Sequence, residues 1–153
     1  MTVLGSARVR LLGAVALLAL APLAAACNNP FKPSQNVNVP FSVVDVTVGT
    51  GVEVVPYSTV IVDYAGYLYD ASKTNNEGLL IDTTLAKQPI TFVVGLGQVL
   101  PGFEQGMVGM KLGGFRRITI PPELGYGPFE HYPVPKNATL VFDVSLIGVA
   151  PPQ

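Results

Sequence analysis

From Phe41 onward the chain alternates apolar and polar residues with a period of two, and this rhythm constrains the fold more than any other feature. Val44, Val46 and Val48 alternate with Asp45 and Thr47, and Val60, Val62 and Tyr64 with Ile61 and Asp63. Phe115, Arg117 and Thr119 alternate with Arg116, Ile118 and Ile120, and Leu140, Phe142, Val144 and Leu146 with Val141, Asp143 and Ser145. Phe92–Val94 adds a short apolar run. Successive side chains of a strand point to opposite faces, and β-branched residues dominate these runs. The pattern therefore predicts a mainly antiparallel sheet.

One segment departs from it. Phe103, Met107 and Met110 recur at the spacing of a single helical face. Pro101 suits a first helical turn and Gly113-Gly114 an exit, so a short helix is expected from Pro101 to Met110. Its glycines make it a weak helix alone, stable only with its apolar face against the sheet. The expected class is α+β: a twisted antiparallel sheet with one short helix packed across it. Residues 69–79 are polar, with Asn75, Asn76 and Gly78, and read as an exposed loop or bulge.

The N-terminus is of another kind. Arg8 and Arg10 precede the apolar stretch Leu11–Leu23, and Ala24, Ala25 and Ala26 precede Cys27. A basic start, an apolar core and small residues at the cut describe an export signal over residues 1–26. The apolar part falls short of the roughly 20 residues of a transmembrane helix. Cys27 is the sole cysteine, which rules out an internal disulfide. Its place after LAAA resembles a lipoprotein signal, in which the thiol is acylated and anchors the chain to a membrane. Residues 27–40, rich in proline and asparagine, read as a flexible tether. Residues 41–153 are left for one domain. Asn28 and Asn29 follow the cysteine, with no aspartate of the kind that retains lipoproteins at an inner membrane, so the placement read here is a bacterial membrane, periplasm-facing or at the cell surface. Without Arg8 and Arg10, nine Lys/Arg become seven against ten Asp/Glu, a net charge of −3, which argues against a nucleic-acid partner.

Chemistry is narrowed by what is missing. The single histidine, His131, cannot build a multi-histidine metal site, no nucleophile motif is present, and Gly95-Leu96-Gly97 does not continue as a phosphate loop. No cofactor or metal is expected. What remains is an apolar hollow with a few polar atoms. The stretch Pro121–Pro135 joins two strand-like runs, yet it carries Tyr126, Phe129, His131 and Tyr132. Loops that only connect are short and polar, so this one is read as a cover. Taken alone, an alternating Tyr or Phe is more often plain core than ligand site, and Asp82 before Thr83 reads also as a turn cap.

Five segments in order settle the choice: VDYAGYL at 62–68, GLLIDTT at 78–84, PITFVVGLGQVLPGFEQGMVGMKLGG at 89–114, RRITIPPELGYG at 116–127 and VPKNATLVFDVSLI at 134–147. Together they resemble the FKBP-type peptidyl-prolyl cis–trans isomerases, the macrolide-binding immunophilin family, across about Phe41 to Val149. The resemblance implies five or six antiparallel strands wrapped around the helix. It implies Tyr64, Asp82, Leu100, Tyr126 and Phe142 as catalytic residues, with Asp82 accepting a hydrogen bond from Tyr64 at the rim. Phe103 would be the floor, Ile81, Ile90 and Val99 walls, and Val134 a contact from the covering loop. The partners implied are proline-containing exported proteins and macrolides such as tacrolimus or rapamycin, bound by a monomer. Phe103 stands where a tryptophan is common in the family, and Ile81 and Ile90 where phenylalanines are common. The 69–79 loop is longer than in a minimal member, and Gly127–Val134 about one residue shorter. Two function classes stay open: an isomerase, or a binding and chaperone module of the same fold with little turnover. The presence of Tyr64, Asp82, Tyr126 and Phe142 together favours the isomerase.

Overall fold

The computed structural model describes residues 39–152, so the export signal, Cys27 and nearly all of the tether lie outside the described residues. Seven regular elements follow in order: β1 (Ser42–Thr47), β2 (Thr59–Tyr69), β3 (Glu77–Thr83), β4 (Ile90–Val93), α1 (Pro101–Met107), β5 (Phe115–Ile120) and β6 (Leu140–Ala150). All pairings are antiparallel. The order across the sheet is β1-β5-β6-β2-β3, with β4 beside β2. β4 pairs with Thr59–Val62 and β3 with Ala65–Tyr69, so the two share one edge of β2.

One face of the sheet and the apolar face of α1 make the core. Val60 and Val62 of β2, Ile118 and Ile120 of β5, and Leu140 and Val144 of β6 are fully buried with Met107 of the helix. The helical glycines that weaken α1 in isolation are what let it lie this close. A Cβ on Gly102 would come 2.5 Å from Ile120 Cγ2, and one on Gly106 2.6 Å from Ile118 Cδ1. Gly106→Ala is therefore expected to lower stability by about 1–2 kcal/mol in urea unfolding, overpacking against Ile118 outweighing the gain in helix propensity. The buried core is drawn from β2, β4, α1, β5, β6 and the segments between them, and a unit with its own core can fold alone.

Two expectations are corrected. The helix ends at Met107, not Met110, because Val108 turns to ψ 136° and Gly109 to φ 78°. Met110 is buried even so, held by Val54 N–H donating to its carbonyl at 2.8 Å rather than by helical phase. The 69–79 stretch is not all loop: after a 3-10 turn at Thr74–Asn76 it enters β3 at Glu77. β3 hides its alternation because no residue on either face is fully covered and its register on β2 is irregular. β1 does alternate, but it buries neither face; Val44 and Val46 are exposed, and the strand is an edge held by β5.

Candidate active site

The floor of the site is aromatic. Phe103, from the second residue pair of α1, meets Phe142 of β6 edge-on, with centroids 5.2 Å apart and an interplanar angle of 89°. Tyr64 of β2 closes the cluster at 5.7 Å from Phe103 and 5.8 Å from Phe142. Gly66 pairs with Phe142 across the strands, and a Cβ there would stand 2.5 Å from the ring, so the glycine gives Phe142 its seat. Above this floor is an open hollow of about 430 Å³, within the range that takes small ligands. Ile81 and Asp82 of β3 and Ile90 of β4 form one side. The β4–α1 connection brings Gly97, Gln98, Val99 and Leu100, the start of α1 adds Pro101, and Tyr126 comes from the loop before β6.

Nine of the ten pocket residues expected from the sequence thus line one hollow: Tyr64, Ile81, Asp82, Ile90, Val99, Leu100, Phe103, Tyr126 and Phe142. Val134 does not. His131 and Val134 exchange backbone hydrogen bonds of 3.0 and 2.6 Å, and the tight reversal turns the Val134 side chain into the core, where it is 4% exposed. His131, in the same loop, leans its ring on Tyr126 with centroids 4.6 Å apart and an interplanar angle of 33°, outside the lining of the hollow. Gly97, Gln98 and Pro101 were not singled out in the sequence; their adjacency to Val99 and Leu100 was the available signal.

The polar rim is tied down. The Tyr64 hydroxyl donates to Asp82 Oδ2. Asp82 Oδ1 accepts from Thr83 N–H at 2.8 Å and pairs with Lys87 Nζ at 3.3 Å. Buried Thr84 holds the Tyr64 backbone, its hydroxyl accepting from Tyr64 N–H at 2.8 Å. Burial pushes the Asp82 carboxyl up, but donation from Tyr64, Thr83 and Lys87 outweighs it and leaves the group below its usual range. Burial first, then Asp82, push the Tyr64 hydroxyl well above its ordinary value. Burial and the Asp82 charge also raise Tyr126. Stability drawn from an Asp of lowered pKa is present above its unfolded value of about 3.9 and is lost as pH falls through the folded one. At neutral pH, then, Asp82 is a carboxylate and both tyrosines are donors.

On residues that line the hollow, the N–H groups of Val99 and Leu100 and the Tyr126 hydroxyl have no protein partner among the described residues. Nothing here can act as a nucleophile beside a base. Such a site can bind an apolar, carbonyl-bearing group and hold it out of water, with no covalent step. A family model described as FKBP-type peptidyl-prolyl cis-trans isomerase matches residues 51–147. The chain belongs to the FKBP-type peptidyl-prolyl isomerases.

Members of this family set the scale of the likeness. An FK506-binding protein of Neisseria meningitidis serogroup B is 40% identical over 107 residues, covering 69% of this chain and 92% of the relative. FK506-binding protein 4 of Chaetomium thermophilum is 41% identical over 120 residues, but the match spans only 23% of that longer protein. Among solved structures, AtFKBP13 superposes with a TM-score of 0.62 at 32% identity, covering 72% of this chain and 93% of the other. FkpA from Escherichia coli gives 0.63 at 31% identity, covering 81% and 57%. The six-stranded antiparallel sheet with one helix is the fold expected for an FKBP-type isomerase.

Asp82, held by Tyr64, Thr83 and Lys87, is expected to orient the rim and to transfer no proton. The rate, kcat/KM, is expected to show no carboxylate titration down to about pH 5, because the rim keeps Asp82 ionised there. Asp82→Asn should cost about tenfold or less, the worth of one hydrogen bond of about 0.5–1.5 kcal/mol. A steep acid limb that disappears together with all activity in Asp82→Asn would assign it a proton-transfer role instead.

Proposed function

We propose that this isomerase acts on X–Pro bonds of exported proteins from a lipid anchor on Cys27. The observation that carries the catalytic part is the aromatic-floored hollow whose lining includes the unengaged donors Leu100 N–H and Tyr126 O–H. Rotation about a peptide bond faces a barrier of about 18–20 kcal/mol because amide resonance is lost at the top. The twisted amide has less charge separation than the planar one. An apolar, water-poor floor of Phe103, Phe142 and Tyr64 therefore disfavours the planar form relative to the twisted one. Leu100 N–H takes one substrate carbonyl and Tyr126 O–H another, fixing the chain on both sides of the rotating bond.

The relatives are named FK506-binding proteins, which supports a macrolide of the tacrolimus or rapamycin type as a second ligand of the same hollow. Phe103, Ile81 and Ile90 reshape its floor and walls. Export and anchoring are supported by the basic and apolar residues before Cys27 and by its position after three alanines. The place proposed is a bacterial membrane, facing the periplasm or the cell surface, with the domain working as a monomer.

A protease-coupled proline-peptide assay on residues 41–153 tests the activity. A rate clearly above buffer, reduced in Tyr126→Phe, is the expected result. A rate equal to buffer would favour a binding or chaperone module of the same fold. Mass spectrometry of the mature N-terminus tests the anchor: a diacylated or triacylated Cys27 is expected, and an unmodified chain cut elsewhere would remove it.

A further inference from the structure

We infer that Glu104 is the positioning residue that holds the wall of the pocket, an inference that rests on the isomerase reading of the same site. The connection from β4 to α1 gives the hollow Gly97, Gln98, Val99 and Leu100, more than any other segment. No strand ladder holds it. Backbone bonds hold its ends, Val94 to Tyr57 and Ser58 and the Leu100 carbonyl to Phe103 and Glu104, but between them Gly95 and Gly97 take φ of 94° and 68°, and among the described residues only Leu96 N–H to the Val93 carbonyl crosses the turn, long at 3.4 Å. Side chains do the holding instead. The Glu104 carboxylate, in the first turn of α1, accepts from Gly95 N–H at 3.2 Å, Gly97 N–H at 2.9 Å and Gln98 N–H at 3.2 Å. Gln98 Oε1 adds a bond from Val93 N–H at 2.8 Å.

Backbone N–H groups turned inward by positive-φ glycines form a concavity that suits an anion, and bonds to an ionised acceptor are the stronger kind. Among the described residues Glu104 pairs with no cation. Its carboxylate is committed to the loop. It also directly follows Phe103, so one helical turn fixes both the floor and the wall that carries Val99 and the Leu100 donor. Displacing that wall by about 1 Å is enough to cost up to a hundredfold in rate.

The test measures kcat/KM on a proline peptide, urea unfolding and amide hydrogen exchange for the domain and for Glu104→Ala, Glu104→Gln and Asp45→Ala. Glu104→Ala is expected to lose roughly tenfold or more in kcat/KM under conditions where it is fully folded, with faster exchange at Gly95, Gly97 and Gln98. Glu104→Gln, which keeps one acceptor oxygen, should recover part of both. Asp45→Ala, destabilised in the edge strand β1 at a residue that does not line the hollow, should keep the parent rate where it is folded. Should Glu104→Ala not fold, the glutamine variant decides, with an intermediate loss expected. A Glu104 variant that is folded and within twofold of the parent overturns the inference. So do unchanged amide protection and an equal loss in Asp45→Ala. A parent rate equal to buffer would instead sink the isomerase reading, while the exchange data would still decide whether Glu104 holds the loop.

Discussion

Phe142→Ala is expected to lower kcat/KM by roughly a hundredfold or more and to cost about 3–5 kcal/mol of stability. The ring is 5% exposed, stands edge-on to Phe103 and lies over Gly66, which has no Cβ to refill the space. Its loss would open the floor to water and remove a partner of both Phe103 and Tyr64. Phe142→Leu separates the two consequences, because leucine keeps much of the volume and loses the aromatic face. Urea unfolding reads the first consequence, and the proline-peptide assay, run where each variant is folded, reads the second. A folded alanine variant within a few-fold of the parent rate would mean that the reacting bond is bound elsewhere.

The second large effect is on folding. Asp45→Ala should cost about 2–3 kcal/mol, below the roughly 3–5 kcal/mol of a fully buried ion pair because the Asp45 side chain is 39% exposed. Arg116 is almost fully covered, its side chain 7% exposed, and Asp45 supplies both oxygens to it at 2.7 and 3.0 Å. The same guanidinium donates through Nη1 to the carbonyls of Gly106 and Val108 at the end of α1, at 2.8 and 3.0 Å. One cation thus ties the edge strand β1, the strand β5 and the helix terminus, where a positive charge is favoured. Removing Asp45 strands that cation; water reaching the partly exposed Asp45 position moderates the cost. Donation from Arg116, against an opposing effect of burial, holds the Asp45 carboxyl below its usual range. A lowered folded value means stability that is present above about pH 3.9 and lost as pH falls through the folded one. The gap between parent and Asp45→Ala should therefore narrow in acid unfolding. A double cycle with Arg116→Met measures the coupling, and a coupling near zero would assign the loss to strand β1 alone.

Most of this was legible before any coordinates. β2, β5 and β6 were readable because each buries one face continuously, so period two carries into the residues. Tyr64, Asp82, Leu100, Tyr126 and Phe142 were found through ordered motifs, not through any property of the single residues. β3 was missed because neither of its faces is fully covered and nothing forces an alternation there. Val134 was misplaced because a pair of backbone bonds between His131 and Val134 reverses the chain, and backbone bonds leave no trace in side-chain pattern.

The order of apolar and polar residues is enough to specify an antiparallel sheet and one glycine-bearing helix, since burial of a continuous face selects residue types that any reader of the chain can see; the family is carried by the five ordered motifs instead. The pocket itself is a matter of convergence. Phe103, Phe142 and Tyr64 are brought within 6 Å of one another by strand register and by the close seat that Gly102 and Gly106 allow the helix. Which N–H groups are spent on Glu104, and which, at Val99 and Leu100, are not, follows from loop geometry at the scale of a hydrogen bond. Distances of that size depend on packing between segments far apart in the chain, and no local pattern of residue types encodes them.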